Sequence, residues 1–118
     1  MKLFVLILNR VEKLDALMLA FANEKLCGAT IFDSMGMARE LYESNHQEEE
    51  ITFFGSIRNY LNDSGQTKSK TILTVIRDDQ QDTIIRTTEE VIGDFSEPDT
   101  GIMFTVPLDF ARGKGLNK

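Results

Sequence analysis

The chain has 118 residues, of which 42% are hydrophobic and 27% are charged, so it can form one domain with its own core. A net charge of −6 argues against a nucleic-acid partner, because nucleic-acid-binding domains usually present a basic face. No apolar run is long enough to span a bilayer, and the single cysteine fits a reducing compartment. We therefore expect one cytoplasmic domain over residues 1–118, not embedded in a membrane.

The first part of the chain has the pattern of a strand, a helix and a second strand. Residues 3–8 are almost wholly apolar and predict a strand, and no signal-peptide cleavage site follows them. From Val11 to Leu26, apolar residues recur at steps of three and four, which predicts a helix that Gly28 caps. β-branched residues in 29–35 predict a strand that ends at Gly36.

The same order of elements returns in the second part. Residues 70–76 are rich in β-branched side chains and predict a strand, and Asp78 or Asp79 is a candidate N-cap for the helix that follows. That helix has an apolar stripe through Ile84, Ile85, Thr88 and Val91. Residues 102–106 predict a last strand, which Pro107 ends.

Two such halves predict an α+β fold, the ferredoxin-like βαββαβ arrangement with a four-stranded antiparallel sheet and both helices on one face. The opposite face of the sheet then needs cover. In a chain of this size we expect another copy of the same chain to supply it, which makes the protein a homo-oligomer.

The connection between the halves, residues 36–69, is far longer than a hairpin needs. Its first part is acidic and polar, whereas 51–61 is apolar enough to pack. Two interpretations stay open: an arm that contacts a partner protein, or a solvated loop with one short element docked on the body. A pliable tail, 108–118, follows the last strand.

Catalytic and metal-binding patterns are poorly represented, so we do not expect an enzyme. The only histidine, His46, is far in sequence from Cys27, and no nucleophile, base and orienting group can be assembled. His46 with the acidic residues 48–50 is better explained as a solvated face than as a metal site, so no metal is expected. Cys27 is expected in the core.

Three places combine glycine, hydroxyl or basic residues with strand ends, where small domains build binding sites. They are residues 36–39, the stretch GDFSEPDTG at 93–101, and the tail. Each also has a purely structural explanation as a strand end, a turn or a solvated basic tail. The candidate ligand-binding residues are Gly36, Met37, Arg39, Gly93, Thr100, Gly101, Arg112 and Lys114.

In order and spacing, these pieces resemble the PII family of nitrogen-regulatory signalling proteins over nearly the whole chain. The matching pieces are MKLFVLILNRVEKLDAL, the loop start MGMARE (similar to the family's KGFGRQ), TKSKTILTVIRDD, and a glycine followed by IMFTVP (similar to GKIFV). The resemblance implies a homotrimer of ferredoxin-like subunits with ATP or ADP in clefts between them. It also implies that 36–69 is the T-loop, which changes shape with the ligand and docks on transporters or enzymes.

Carried over by position, Gly36 and Arg39 match the start of the T-loop near the nucleotide, and Gly101 matches the glycine before the last strand. The chain departs from the family elsewhere. Ile102 stands where the phosphate loop has lysine, Arg112 and Lys114 are out of step with the family's basic pairs, and Tyr42 and Tyr60 do not match the modified loop tyrosine.

Backbone N–H groups and positive charge make a phosphate cradle. The stretch 93–101 instead contains Asp94, Glu97 and Asp99, which predicts a turn with cradle geometry at best. The sequence thus favours a PII-like regulator that binds a small effector, with ATP, ADP or AMP as candidates. The alternative is a CutA-like or structural ferredoxin-like trimer that binds a metal or no ligand.

Overall fold

The structure is a computed structural model that describes residues 1–44 and 68–116. Its strands are β1 (Lys2–Leu8), β2 (Ala29–Ser34), β3 (Ser69–Ile76) and β4 (Gly101–Pro107). Its helices are α1 (Leu14–Asn23), α2 (Met37–Ser44) and α3 (Gln81–Ile92), and a 3₁₀ turn leads into α1 at Val11–Lys13 and into α3 at Asp78–Gln80. No helix in these residues is long and apolar enough to cross a membrane.

The four strands form one antiparallel sheet in the order β2-β3-β1-β4, which is the ferredoxin-like arrangement that the sequence predicts. Leu8 pairs with Lys70 on one side and with Gly101 on the other. At the opposite end Lys2 pairs with Ile76 and Pro107. We call the first end, where β1 and β2 finish, the loop end, and the second end the tail end.

One face of the sheet packs against α1 and α3 and forms the core. Alternate residues of β1 (Phe4, Leu6 and Leu8) are fully buried there, as the two-residue repeat of a strand requires. The ring of Phe4 meets that of Phe21 from α1 edge to face, with centroids 6.3 Å apart. Ile84 and Ile92 complete the core from α3.

The other face, which we call the open face, has no helix of the described chain packed on it. Strand alternation places three side chains of β4 there, Ile102, Phe104 and Val106, and they are 56%, 44% and 40% exposed. Phe32 of β2 lies on the same face and is 46% exposed. Within residues 1–44 and 68–116, the open face therefore presents partly exposed apolar side chains on which no helix packs.

The end of α1 differs from the prediction, because Lys25, not Gly28, takes the left-handed conformation that stops the helix. Lys25 has φ 63°, its N–H donates to Ala22 O at 2.9 Å, and the N–H of Leu26 donates to Phe21 O at 2.8 Å. These are the two hydrogen bonds of a Schellman motif. Gly28 lies beyond the cap.

The predicted N-cap of α3 is also wrong. Asp78 binds the amino group of Met1 at 3.0 Å, and Asp79 binds Arg77 Nε at 3.1 Å. The start of the 3₁₀ turn is closed by Gln80 instead, whose Oε1 accepts a hydrogen bond from the Arg77 N–H at 2.8 Å. The two acidic residues therefore fix Met1 and Arg77 at the tail end.

Candidate functional site

The connection that leaves β2 begins with a helix that the sequence did not predict. Gly36 is exposed and its carbonyl accepts the N–H of Glu40 at 3.0 Å, so α2 starts directly after the strand. Met37 is 78% exposed. Arg39 is partly buried and has an interaction partner. Residues 45–67, with His46 and the apolar stretch 51–61, lie outside the described residues.

Side-chain contacts close the base of the connection on both faces of the β2–β3 pair. On the helix-bearing face Lys70 forms an ion pair with Asp33. On the open face Ser34 Oγ lies 2.7 Å from Ser69 Oγ, and Thr71 Oγ1 donates to Ser34 Oγ at 2.8 Å. The strand ends that carry 35–68 are therefore held together on both faces.

The stretch 93–100 is a turn whose polar groups bind one another. The N–H of Ser96 donates to Asp94 Oδ1 at 2.9 Å, and the N–H of Glu97 donates to Asp94 O at 3.1 Å. The Thr100 hydroxyl, which is buried, donates to Glu97 O at 2.9 Å. Because these donors are already bound within the turn, they are not available to bind a phosphate. The acidic composition of 93–101 likewise indicates a turn.

Both glycines of this stretch have backbone conformations that other residues rarely adopt. Gly93 has φ 108° and Gly101 has φ 134°. At Gly101 the chain also comes so close to β1 that an added Cβ would lie 2.2 Å from the carbonyl oxygen of Ile7. Gly101 is therefore required by the fold, whatever its part in ligand binding.

The tail candidates lie at the other end of the sheet. After β4 the N–H of Leu108 donates to Met1 O at 3.1 Å, which ties the tail to the start of β1. The Arg112 guanidinium stacks over the exposed ring of Phe110, 5.1 Å from its centroid. Lys114 is exposed and lies against a cavity.

This cavity lies at the tail end and has a volume of about 880 Å³. Its walls are the turn between α1 and β2, the end of β3, the start of the 3₁₀ turn before α3, and residues 114–116 of the tail. Three basic side chains line it, Lys25, Arg77 and Lys114, together with Asp79, the partner of Arg77. Its volume lies within the range of small-molecule sites, and its lining favours an anionic ligand.

The structure thus divides the candidate residues between the two ends of the sheet. Gly36, Met37, Arg39, Gly93, Thr100 and Gly101 belong to the loop end, and Arg112 and Lys114 to the tail end. Strands of this length separate the ends by about 20 Å. Within one chain the two groups do not meet.

Sequence reasoning missed Lys25 and Arg77, and it misplaced Cys27. The thiol of Cys27 is exposed and lines the tail-end cavity instead of the core. The reason is the Schellman turn before it, which turns the chain outward after Leu26. Among the residues that the structure describes, no three His, Cys, Asp or Glu side chains are grouped to hold a metal ion.

Three aspartates of these regions should make stability depend on pH. Hydrogen bonding to Lys70 lowers the pKa of Asp33 below its ordinary 3.8, the amino group of Met1 lowers that of Asp78, and the Ser96 N–H lowers that of Asp94. A depressed pKa in the folded state contributes stability above pH 3.8 that is lost as the pH falls through the folded-state value. We expect the free energy of unfolding, measured in urea, to decline below about pH 4.

The substitution Asp33→Asn should make this decline shallower, because it removes one of the three groups. Lys70→Gln tests the cause: the two substitutions together should alter the pH dependence no more than Asp33→Asn alone. An unchanged acid decline in Asp33→Asn would contradict the assignment of this effect to the Asp33–Lys70 pair.

The chain was also compared with models of known protein families and with curated protein sequences, and neither comparison found a match.

Proposed function

We propose that the protein is a PII-like signal-transduction protein of the cytoplasm. In this proposal it is a homotrimer that binds an adenine nucleotide, ATP, ADP or AMP, in clefts between subunits. Its connection 36–69 regulates a partner protein, such as a transporter or an enzyme. The ligand acts by favouring one conformation of that connection, and its effect is limited by its difference in affinity for the two conformations.

The observation that carries this proposal is the division of the candidate residues between opposite ends of one sheet. Arg39 and Gly101 belong to the loop end, whereas Lys114 belongs to the tail end with the cavity. A ligand that uses both groups needs the loop end of one copy beside the tail end of another. In the proposed assembly, a cleft between two subunits is lined by the loop end of one subunit and the tail end of the other.

The open face supports the same assembly. Its apolar side chains are the surface that a second and third copy can cover, because α1 and α3 pack on the opposite face. In such an assembly the clefts lie where the edge of one sheet approaches the next, and β4 is an edge strand that starts at Gly101.

The ligand is tested by thermal unfolding with and without ATP, ADP and AMP at millimolar concentration. A ligand at 100 times its dissociation constant adds about 2.7 kcal/mol to the free energy of unfolding. We expect Arg39→Ala to lose most of the nucleotide-dependent rise in Tm, because a guanidinium is suited to bind phosphate oxygens.

Each variant is compared with itself in the absence of nucleotide, since Arg39 is partly buried and its removal also changes the Tm of the free protein. Arg86→Ala is the matched control: Arg86 lies on the exposed side of α3, where it pairs with Glu24 and Glu90. If no nucleotide raises the Tm of the unmodified protein, the nucleotide proposal fails. A trimer without such a response favours the structural CutA-like alternative.

A further inference from the structure

Arg10, which the candidate residues above do not include, lies against the turn 93–100. It comes two residues after the end of β1, where the N–H of Asn9 donates to Thr100 O at 3.2 Å. Its Nη1 donates to Ile92 O at 2.9 Å, at the last residue of α3. A guanidinium bound in this way is fixed at the loop end, at the point where α3 passes into the turn.

Gly93 makes room for this guanidinium. A Cβ added at Gly93 would lie 3.3 Å from Arg10 Nη1, which is a tight contact. The absence of a side chain at 93 therefore lets Arg10 approach the backbone where the turn begins. This contact gives Gly93 a structural reason to be glycine in addition to its φ of 108°.

Within the described residues, Arg10 uses one of its N–H donors, in the hydrogen bond to Ile92 O. A guanidinium has five N–H donors, and among residues 1–44 and 68–116 Ile92 O is the acceptor that Arg10 binds. Arg77 and Arg86 each form ion pairs with carboxylates. Arg10 forms none within the described chain, although Asp94, Glu97 and Asp99 follow in the adjoining turn.

The adjoining turn lacks positive charge of its own. Residues 93–101 contain no lysine or arginine, Ile102 follows them, and the N–H groups of Ser96 and Glu97 are bound within the turn. An anion at this place needs a cation from elsewhere in the chain. Arg10 is a cation that the fold brings there.

We infer that Arg10 binds phosphoryl oxygens of the ligand at the loop end, through the donors that Ile92 O does not use. The inference rests on the proposed function for the nucleotide. It assigns to Arg10 the neutralising charge that the turn 93–101 lacks. The turn itself carries the carboxylates of Asp94, Glu97 and Asp99, so removing one of these charges should favour an anion bound beside it.

The test uses the full chain and four probes: ATP, AMP, adenosine and inorganic tripolyphosphate. We expect Arg10→Gln to lower the affinity for ATP and for tripolyphosphate about tenfold, which is the effect of losing one charge-assisted hydrogen bond. The affinity for adenosine should not change. Arg10→Lys keeps the positive charge but not the planar guanidinium, so its affinities for ATP and tripolyphosphate should lie between those of the unmodified protein and those of Arg10→Gln. Asp94→Asn should raise the affinity for both ATP and tripolyphosphate. Arg86→Gln is the matched control and should change none of these affinities.

Because Arg10→Gln also removes the bond to Ile92 O, the unmodified protein supplies a second measurement. The NMR signal of the Arg10 Nε–Hε group should shift when tripolyphosphate or ATP is added, and adenosine should leave it in place. If ATP binds while this signal stays and Arg10→Gln binds ATP normally, the inference is overturned and the proposed function stands. If tripolyphosphate moves the signal but ATP binds no more tightly than tripolyphosphate, Arg10 is a general anion site and the nucleotide proposal fails. If no anion moves the signal, the inference is wrong.

Discussion

Gly101→Ala should destabilise the protein by about 2–5 kcal/mol, the largest stability effect that we expect from one added methyl group. Two causes add together. An alanine at φ 134° is strained, and its Cβ would lie 2.2 Å from the carbonyl oxygen of Ile7, inside the β1–β4 ladder. Backbone cannot move aside as a flexible side chain can, so β4 must shift or separate from β1. Urea unfolding measures the loss, with circular dichroism as the signal.

Two other glycines serve as controls for Gly101→Ala. Gly115 has φ 89° but nothing within 4 Å of an added Cβ, so Gly115→Ala reports conformational strain without the clash. Gly28 offers ordinary van der Waals space, with Thr74 Oγ1 at 3.9 Å, and Gly28→Ala should be nearly neutral. If Gly101→Ala and Gly115→Ala lower the free energy of unfolding equally, the contact with Ile7 does not contribute to the loss.

Phe104→Asp should convert the proposed trimer into monomers. Phe104 lies in the middle of β4 on the open face, opposite Val5 in the ladder, and is 44% exposed in one chain. If copies cover this face, the substitution places a carboxylate in each buried contact, at a cost of several kcal/mol per ion. Light scattering at micromolar concentration should give three times the 13.4 kDa of one chain for the unmodified protein and 13.4 kDa for the variant.

Leu19→Asp is the matched control for this experiment. Leu19 is an apolar residue of α1 that is 65% exposed, and it belongs to a helix that covers the opposite face of the sheet. Its substitution should leave the mass unchanged. A monomeric unmodified protein would contradict the assembly and, with it, ligand clefts between subunits. Circular dichroism of Phe104→Asp establishes that the variant monomer is folded.

Periodicity predicts the strands of this protein well because burial determines where they form. The predicted strands at 3–8, 70–76 and 102–106 agree closely with β1, β3 and β4, whose side chains alternate between a core and the open face. The helix α2 was missed because its sequence, MARELYES, is short and mostly polar. Its few apolar residues do fall on one side of the helix, but they are too few to stand out in a stretch that we interpreted as a loop. Its residues instead favour helix through their backbone propensities.

Helix caps were predicted less well than strands, because a capping side chain can bind another partner instead of the helix backbone. Asp78 and Asp79 have the chemistry of N-caps, but Met1 and Arg77 bind them instead. The left-handed residue after α1 is Lys25, a residue that local preference does not select. The exposure of Cys27 follows from that same turn.

The sequence named candidate residues but not their arrangement. It gave Gly101 as a ligand-binding candidate or a turn residue, and the close approach of Gly101 to Ile7 O is visible only in the structure. The separation of Arg39 from Lys114 follows from the sheet, which places the two residues at opposite ends. Arg10 could not be identified in this way, because the backbone that holds it is 82 residues further along the chain.

The closed base of the connection has an evolutionary consequence. The connection leaves and returns on paired residues, Ser34 and Ser69, which hydroxyl contacts and the Asp33–Lys70 pair hold together. The entropy cost of lengthening a closed loop is small, and doubling its length costs about 0.6 kcal/mol. The segment that would recognise a partner can therefore gain, lose or exchange residues while the sheet persists, so partner choice can diversify without a new fold.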